Sequence, residues 1–523
     1  MASRDYSIIE YYAEHEGYRC GYCKSTDTNY SHGLWAHTMT VQDYQDIIDR
    51  GWRRSGRYCY KPTMHVTCCP MYTIKCEALE FKISKSQKKV IKRFNRFLAH
   101  GLSKSNDDAL SLEGSEASDD QIQDGGEMMD VPNFPKKSDQ AKKHKEDAKV
   151  LSVDPSLSGR IEPEGSDLSC PEPPGKHKLE LSLEKSGGSS ETSTDSKKDA
   201  NLPKKVCLGP DGARPPMKKA KLMRLERKQE KLMKKGFSKE EAERMLKERK
   251  QPPPQGKSLE ELLNEPLPED PAHRLEVRLV RSTPPSREYE QTSEQAHEVF
   301  RKYQMAVHRE PADKCTLHHY KRFLVTSPLK PWKPVDGPPH GYGSFHQQYW
   351  LDGRLIAVAV IDILPYCVSS VYFYYDPEFG HLSLGTYASL REIALVRSLH
   401  THSSALKYYY MGFYIHTCPK MRYKARYNPS FLLCPETYTW HPIEQCQRKL
   451  DVSRYSRFEE NSSVLDEDGQ ININEILILF HKQAMPYFIY RTLNRNTDDS
   501  EEVMQYARLV GMKCARRMLL VRV

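Results

Sequence analysis

The chain has 523 residues, too many for one small domain, and only 38% of them are hydrophobic against 28% charged, so a long polar stretch must dilute one or two ordinary cores. The start Met-Ala-Ser-Arg-Asp lacks an apolar signal core, and the longest apolar strand-like run, residues 355–364, is short and carries Asp362; secretion and membrane spanning are not expected. The formal charge is +9, and residues 214–250 alone hold fifteen Lys/Arg against six Glu, so the expected partner of that segment is a polyanion.

Residues 1–100 mix aromatics, cysteines and short polar turns and predict a small α+β domain. Cys20 and Cys23, separated by Gly21-Tyr22, are answered by the adjacent pair Cys68-Cys69. Two thiolates on a tight knuckle and a second pair brought alongside by folding make a four-thiolate site, and zinc and an iron-sulfur cluster both accept that ligand set. Cys59, His65 and Cys76 are alternative members; buried reduced thiols, or a vicinal disulfide at Cys68-Cys69, are the readings without metal. Tyr44, Ile47 and Ile48 recur at helical spacing over residues 41–52, Gly51 suits the C-cap, and the Trp52 to Tyr60 stretch reads as a turn into a strand. Residues 84–100 predict a second helix, with Val90, Ile91, Phe94 and Phe97 inward and Lys85, Lys88, Lys89, Lys92, Arg93 and Arg96 making one face basic.

Between Lys104 and Lys136 there is no Lys or Arg but nine Asp/Glu, and residues 101–212 as a whole predict a disordered acidic and polar linker, too polar to offset its chain entropy by burial. Residues 213–252 predict a basic helix stopped by Pro252-Pro253-Pro254. Lys218, Lys219, Arg224, Arg227 and Lys228 are its candidate phosphate contacts, a solvated charged helix being the plainer alternative. A basic import signal within residues 204–221 is a compatible use.

Residues 275–523 predict a mixed α/β domain. The run 355–364 suits a strand covered on both faces; residues 370–375 form its hairpin partner, residues 386–400 a helix with Leu390, Ile393 and Ala394 inward, and residues 408–416 a third strand. That order resembles the centre of the N-acyltransferase (GNAT) fold. The stretch before the helix, Asp376 to Thr386, has its two glycines five apart and no arginine, a poor cradle for a pyrophosphate, so coenzyme A is not expected and an acyl donor carried by RNA is. Asp466, Asp468, Gly469, Ile471 and Glu475 fall at calcium-loop spacing, but Val464 occupies the first ligand place; an acidic turn before a helix over residues 476–480 is the expected structure.

The stretches Asp49-Arg50-Gly51-Trp52-Arg53-Arg54-Ser55-Gly56, Tyr320-Lys321-Arg322-Phe323-Leu324-Val325 and Tyr408-Tyr409-Tyr410-Met411-Gly412-Phe413-Tyr414-Ile415, with residues 421–433 and both cysteine pairs, resemble those of the eukaryotic arginyl-tRNA-protein transferases. The resemblance implies transfer of arginine from arginyl-tRNA to proteins beginning with Asp, Glu or oxidised Cys, marking them for degradation through ubiquitin ligases. It also implies a zinc or iron-sulfur site in the first domain, which Cys20, Cys23, Cys68 and Cys69 match. Cytoplasmic and nuclear localisation goes with it, and the fourteen cysteines, crowded only before Glu77, suit reduced thiols. A non-catalytic tRNA-binding adaptor is the alternative function.

An arginyl ester is already activated, so such an enzyme need only align an α-amine, relieve it of a proton and steady the oxyanion. The arginyl guanidinium calls for a carboxylate, and an acidic acceptor side chain for an arginine or lysine. For the acceptor, Arg53, Arg54, Arg57, Lys321 and Arg322 are the candidates. For the donor and the amine they are Asp362, Asp376 and Glu392, with Asp362 the preferred proton acceptor unless an arginine pairs with it. His346 and His416 are alternatives for proton transfer. Tyr408, Tyr409, Tyr410, Tyr414, Tyr423 and Tyr427 can stack on the terminal adenosine, and Arg422, Lys424 and Arg426 can hold its phosphates.

Overall fold

The computed structural model describes residues 5–13, 16–101, 220–234, 236–241, 256–496 and 498–522. They belong to two units: residues up to 159 together with 257–523, and residues 160–256.

In the larger unit, Ile8–Tyr12 (β1) and Ser31–Thr38 (β2) precede a helix, Val41–Ile48 (α1), whose N-cap Thr40 accepts from the Asp43 amide. Tyr44, Ile47 and Ile48 are buried as their spacing predicts. The helix is capped at Asp49, two residues before the predicted Gly51, which has φ +87° and makes the turn. Arg53–Ser55 (β3) and Tyr58–Pro62 (β4) pair as a hairpin, and Tyr72–Glu77 (β5) follows. The predicted second helix is Lys85–His100 (α2), started by a reciprocal capping box between Ser84 and Gln87. The basic helix is described over Ala220–Met233 (α3), in the smaller unit, with Gly236 at φ +92° beyond it; Lys218, Lys219 and the rest of the predicted helix past residue 241 lie outside the described residues.

The chain then runs through Leu259–Leu263 (α4), Leu275–Thr283 (β6), Arg287–Tyr303 (α5), Gly343–Leu351 (β7), Arg354–Ile363 (β8), Cys367–Tyr375 (β9), Leu384–His400 (α6) and Tyr408–Tyr414 (β10). After Pro419–Arg422 (α7) come Ser430–Leu433 (β11), Trp440–Pro442 (β12), Ile443–Leu450 (α8), Leu477–Phe480 (β13), Gln483–Pro486 (β14), Ser500–Val510 (α9) and Leu519–Arg522 (β15). The helix expected over residues 476–480 is instead β13. It is a short apolar run with no helical period of its own, and its pairing with β14 and β15 decides its state.

Two sheets result, ordered β14-β13-β15-β1-β2-β4-β3 and β12-β11-β5-β10-β9-β8-β7-β6. The first and last parts of the chain exchange strands: β15 lies parallel to β1, and β5 sits antiparallel between β10 and β11. Boundaries drawn at residues 100 and 275 therefore do not separate the sheets, and the largest hydrophobic cluster among the described residues runs through both. Every residue of β8 after Arg354 is buried, because α5 packs on β8 and β9 while α6 packs on β9 and β10. No helix among the described residues is long and apolar enough to cross a membrane.

Candidate functional site

The parallel ladder between β9 and β10 is short, pairing only residues 367–369 with 408–410. Past it, β10 bulges against β5 between Tyr410 and Phe413, with Gly412 at φ +71°. A cavity of about 170 Å³ opens where the ladder ends, between residues 369–373 of β9 and 411–413 of β10. Gly385, Ala388, Ser389 and Glu392 recur along one face of α6 and line it, while Arg53, Arg54 and Ser55 enter from β3.

Arg53 is a buried cation held by carbonyl oxygens. Its guanidinium donates to Trp52 O (2.6 Å), Ile48 O (3.3 Å) and Gly412 O (3.2 Å), and lies 5.2 Å from the Phe413 ring centroid. Arg54 also reaches the wall, but its charge is matched. It grips Asp362 with both prongs of the fork, at 2.8 and 2.6 Å, and donates to Ser344 Oγ (3.2 Å). Lys424 Nζ lines the cavity and donates to Phe413 O (2.8 Å). Glu392 is the carboxylate among the lining side chains and is 1% exposed. Beside it the Tyr409 phenol is pushed far above its ordinary pKa, by burial first and by the Glu392 charge second.

The cysteine pairs form a cluster behind this wall. Backbone bonds from Cys20 N to Ser25 O and from Lys24 N to Cys20 O close the knuckle, and Lys24 takes φ +64°. The four thiol sulfurs of Cys20, Cys23, Cys68 and Cys69 all lie within 4.8 Å of one another, with Cys23 and Cys68 3.5 Å apart. A tetrahedral ion with bonds of about 2.3 Å to sulfur sets its ligands roughly 3.8 Å apart, so the set fits one ion. The Cys23 thiol is drawn down to about 7, chiefly by the Ser25 backbone N–H. Cys20 and Cys69 pack with Met71, Phe413 and Met421, and Tyr22, between the two knuckle cysteines, lines the cavity. Cys59 and Cys76 stand apart from the cluster; burial pushes each thiol up to about 12.

The other predicted residues are distributed as follows. Asp362 is fully buried in its pair with Arg54 and does not line the cavity, so the arginine-paired alternative describes it. Asp376 is also outside the cavity: it accepts from Arg354 (2.6 Å), Lys302 (3.1 Å) and the Glu378 amide. His416 bridges Tyr414 and Asp451 at 2.8 Å each, in a separate cavity bordered by Arg422 and Arg454. His346 donates from Nε2 to Leu324 O (3.0 Å). Arg57 is half-buried away from the cavity, and Lys321 and Arg322 are exposed, although their neighbour Phe323 lines it.

Among the residues expected to meet RNA, Tyr409 is buried, Tyr423 lines the cavity beside Tyr427, and Arg422 and Arg426 are exposed. Arg227 is exposed on α3; the side chains of Arg224 and Lys228 lie outside the description. Tyr22, Tyr60, Phe323, Phe413 and Met421 were not singled out for the cavity. Tyr22 has a local signal in its place between two paired cysteines, and Phe323, Phe413 and Met421 fall within the stretches that carry the family resemblance. At the calcium-like loop, Asp466 is held by Arg50 at 2.8 and 2.5 Å and Glu475 by Arg516 at 2.6 Å, so these carboxylates serve as arginine partners.

Residues 18–89 and 295–434 match the families described as "Arginine-tRNA-protein transferase, N terminus" and "Arginine-tRNA-protein transferase, C terminus". The chain is 41% identical to arginyl-tRNA–protein transferase 1 of Drosophila melanogaster, covering 99% of each chain, and 36% identical to arginyl-tRNA–protein transferase 2 of Arabidopsis thaliana, covering 88% of this chain and 79% of that one. Over 86 residues, 16% of this chain and 34% of the other, it is 45% identical to a Pseudomonas fluorescens protein named aspartate/glutamate leucyltransferase. These similarities define an aminoacyltransferase that draws on charged tRNA. The chain belongs to the arginyl-tRNA–protein transferase family, and arginyl-tRNA is its co-substrate.

Proposed function

We propose that the cavity between β9 and β10 joins the arginyl group of arginyl-tRNA to the α-amine of proteins beginning with Asp, Glu or oxidised Cys, and so marks them for ubiquitin-dependent degradation in the cytoplasm and nucleus. The observation that carries the reading is a single cavity lined by Arg53 and Lys424 together with Glu392. The name of the Pseudomonas relative, which specifies aspartate and glutamate, supports the acidic acceptor. The hairpin, helix and diverging parallel strand of β8-β9-α6-β10 support a GNAT-like arrangement. The described cysteines are free thiols, in keeping with a reducing compartment.

In the reaction the amine nitrogen bonds to the ester carbonyl carbon, the carbon–oxygen bond to the terminal ribose breaks, and the amine's proton ends on the ribose oxygen. An α-amine with a pKa of about 8 is already roughly one-tenth neutral at pH 7, so a base offers only about 1 kcal/mol at the proton step. Selecting a guanidinium without a carboxylate is far harder, which assigns Glu392 to the arginyl side chain. Arg53, whose partners are carbonyls, takes the acceptor's acidic side chain. Cys20, Cys23, Cys68 and Cys69 would hold one tetrahedral ion such as zinc, in keeping with their close sulfur spacing, with a four-iron cluster the other possibility for this ligand set. Its contribution would be structural, fixing the Tyr22 wall while the side chains above handle the reactants.

Purified protein is expected to move labelled arginine from charged tRNA onto a peptide beginning with Asp and not onto its N-acetylated form. Equal labelling of both peptides, or none of either, refutes the proposal.

A further inference from the structure

The helix α2 carries a charged stripe that the reaction has not used. Lys85, Lys89, Lys92, Arg93 and Arg96 are all exposed and fall within about 100° of one helical face, while Ile91, Phe94, Phe97 and Leu98 are buried on the other. The helix contains no Asp or Glu, and none of the five forms an ion pair among the described residues. Ordinary solvated helices intersperse the two signs; here Glu265 feels the Lys92 charge but pairs with Lys257, and five like charges in one row amount to a directed field. The stripe has a fixed relation to the cavity. Phe94 stacks on Tyr387 of α6 at 4.2 Å, and Arg93 donates to Ser383 Oγ (2.5 Å), two residues before Gly385 in the cavity wall.

We propose that the α2 stripe receives the phosphate backbone of arginyl-tRNA next to its charged end, with the Arg93 end of the row nearest the ester. This rests on the transferase reading above. The occupant follows from charge and from place. A nucleic-acid stem presents a regular row of single negative charges, α2 at about 1.5 Å per residue is roughly 24 Å long, and the reaction requires an RNA end at the cavity lined by α6, against which α2 packs. Contacts of this kind set register and affinity without reading bases.

The test uses the full chain and tRNA binding measured across a salt series, comparing wild type with the triple variant Lys85→Ala, Lys89→Ala, Lys92→Ala and with the same three positions changed to Arg. The alanine variant is expected to bind tRNA about tenfold more weakly at moderate salt, with a log–log salt slope shallower by about three. The arginine variant should restore both. In transfer assays the loss should fall on KM for arginyl-tRNA and not on KM for the acceptor peptide, with the thermal midpoint reporting that the fold is kept. An unchanged affinity and slope overturns the proposal, as does loss of binding to polyglutamate with RNA binding intact. Wild-type transfer with a normal KM in the alanine variant removes this proposal alone, whereas absence of wild-type transfer removes the functional reading.

Discussion

Arg54 and Asp362 show how one side chain's partner changes its meaning. A carboxylate interrupting an apolar strand is the kind of group that serves as a base, but here it is closed on both prongs of a guanidinium, with the two side chains 0% and 2% exposed. Removing one member of such a pair leaves an uncompensated charge in the core, so Asp362→Ala is expected to lower unfolding stability by about 3–5 kcal/mol, read by denaturant titration. Near-normal stability with lost transfer would return Asp362 to the chemistry. For Glu392→Gln the expected loss is in kcat/KM for arginyl-tRNA, about 10- to 150-fold for a charge-assisted bond of about 1.5–3 kcal/mol, with stability much less affected. His346 carries the pH dependence. Burial holds its folded pKa down at about 4, below the unfolded value of about 6.5, so the unfolded chain binds the extra proton and stability falls as pH drops from 6.5 to 4. Over that window the wild type should lose about 3 kcal/mol more than His346→Leu, measured by urea unfolding at each pH.

At the scale of elements, the parts with local causes were legible and the parts with distant causes were not. The α2 helix announces itself through Ser84, Gln87 and its apolar period, the β8–β9 hairpin through its apolar run and turn, and the cysteine pairs through spacing. Glu392 and Arg53 were recognisable as residue types suited to the two reactants. Asp362 finds Arg54 across 308 positions, His416 finds Asp451 in a later loop, and β13 becomes a strand through β15; no window of sequence contains those partners. The knuckle and β5 offer an element-level test. Cys68 and Cys69 lead into β5, which hydrogen-bonds to β10 beside the cavity, so a metal held at the proposed site would tie the knuckle to the sheet that borders the cavity. Anaerobic preparation should give about one metal per chain with no visible charge-transfer band if the ion is zinc, and Cys20→Ser should reduce that content while the sheets remain. A visible band with about four irons per chain would assign a cluster instead.

At the scale of the whole molecule, neither terminal portion can complete a sheet alone. Residues 5–101 lack β15 beside β1, and residues 257–522 lack β5 between β10 and β11. Fragments 1–101 and 257–523 expressed separately are expected to aggregate or remain unfolded, because each would expose unpaired strand edges, whereas co-expression should yield a soluble pair with measurable transfer. Soluble, folded fragments made independently would contradict the exchanged-strand topology.

The end of α2 adjoins α4 and the segment that follows it: Asn95 of α2 donates to Leu262 O of α4 (2.9 Å), and the His273 amide to Leu98 O (2.9 Å). Joining two neighbouring anchors costs a connecting segment entropy that grows only with the logarithm of its length, about 0.6 kcal/mol per doubling. The stretch between α2 and α4 can therefore lengthen, shorten or change its spelling among lineages at little thermodynamic penalty, leaving that stretch open to innovation while the strand-exchanged scaffold stays constrained.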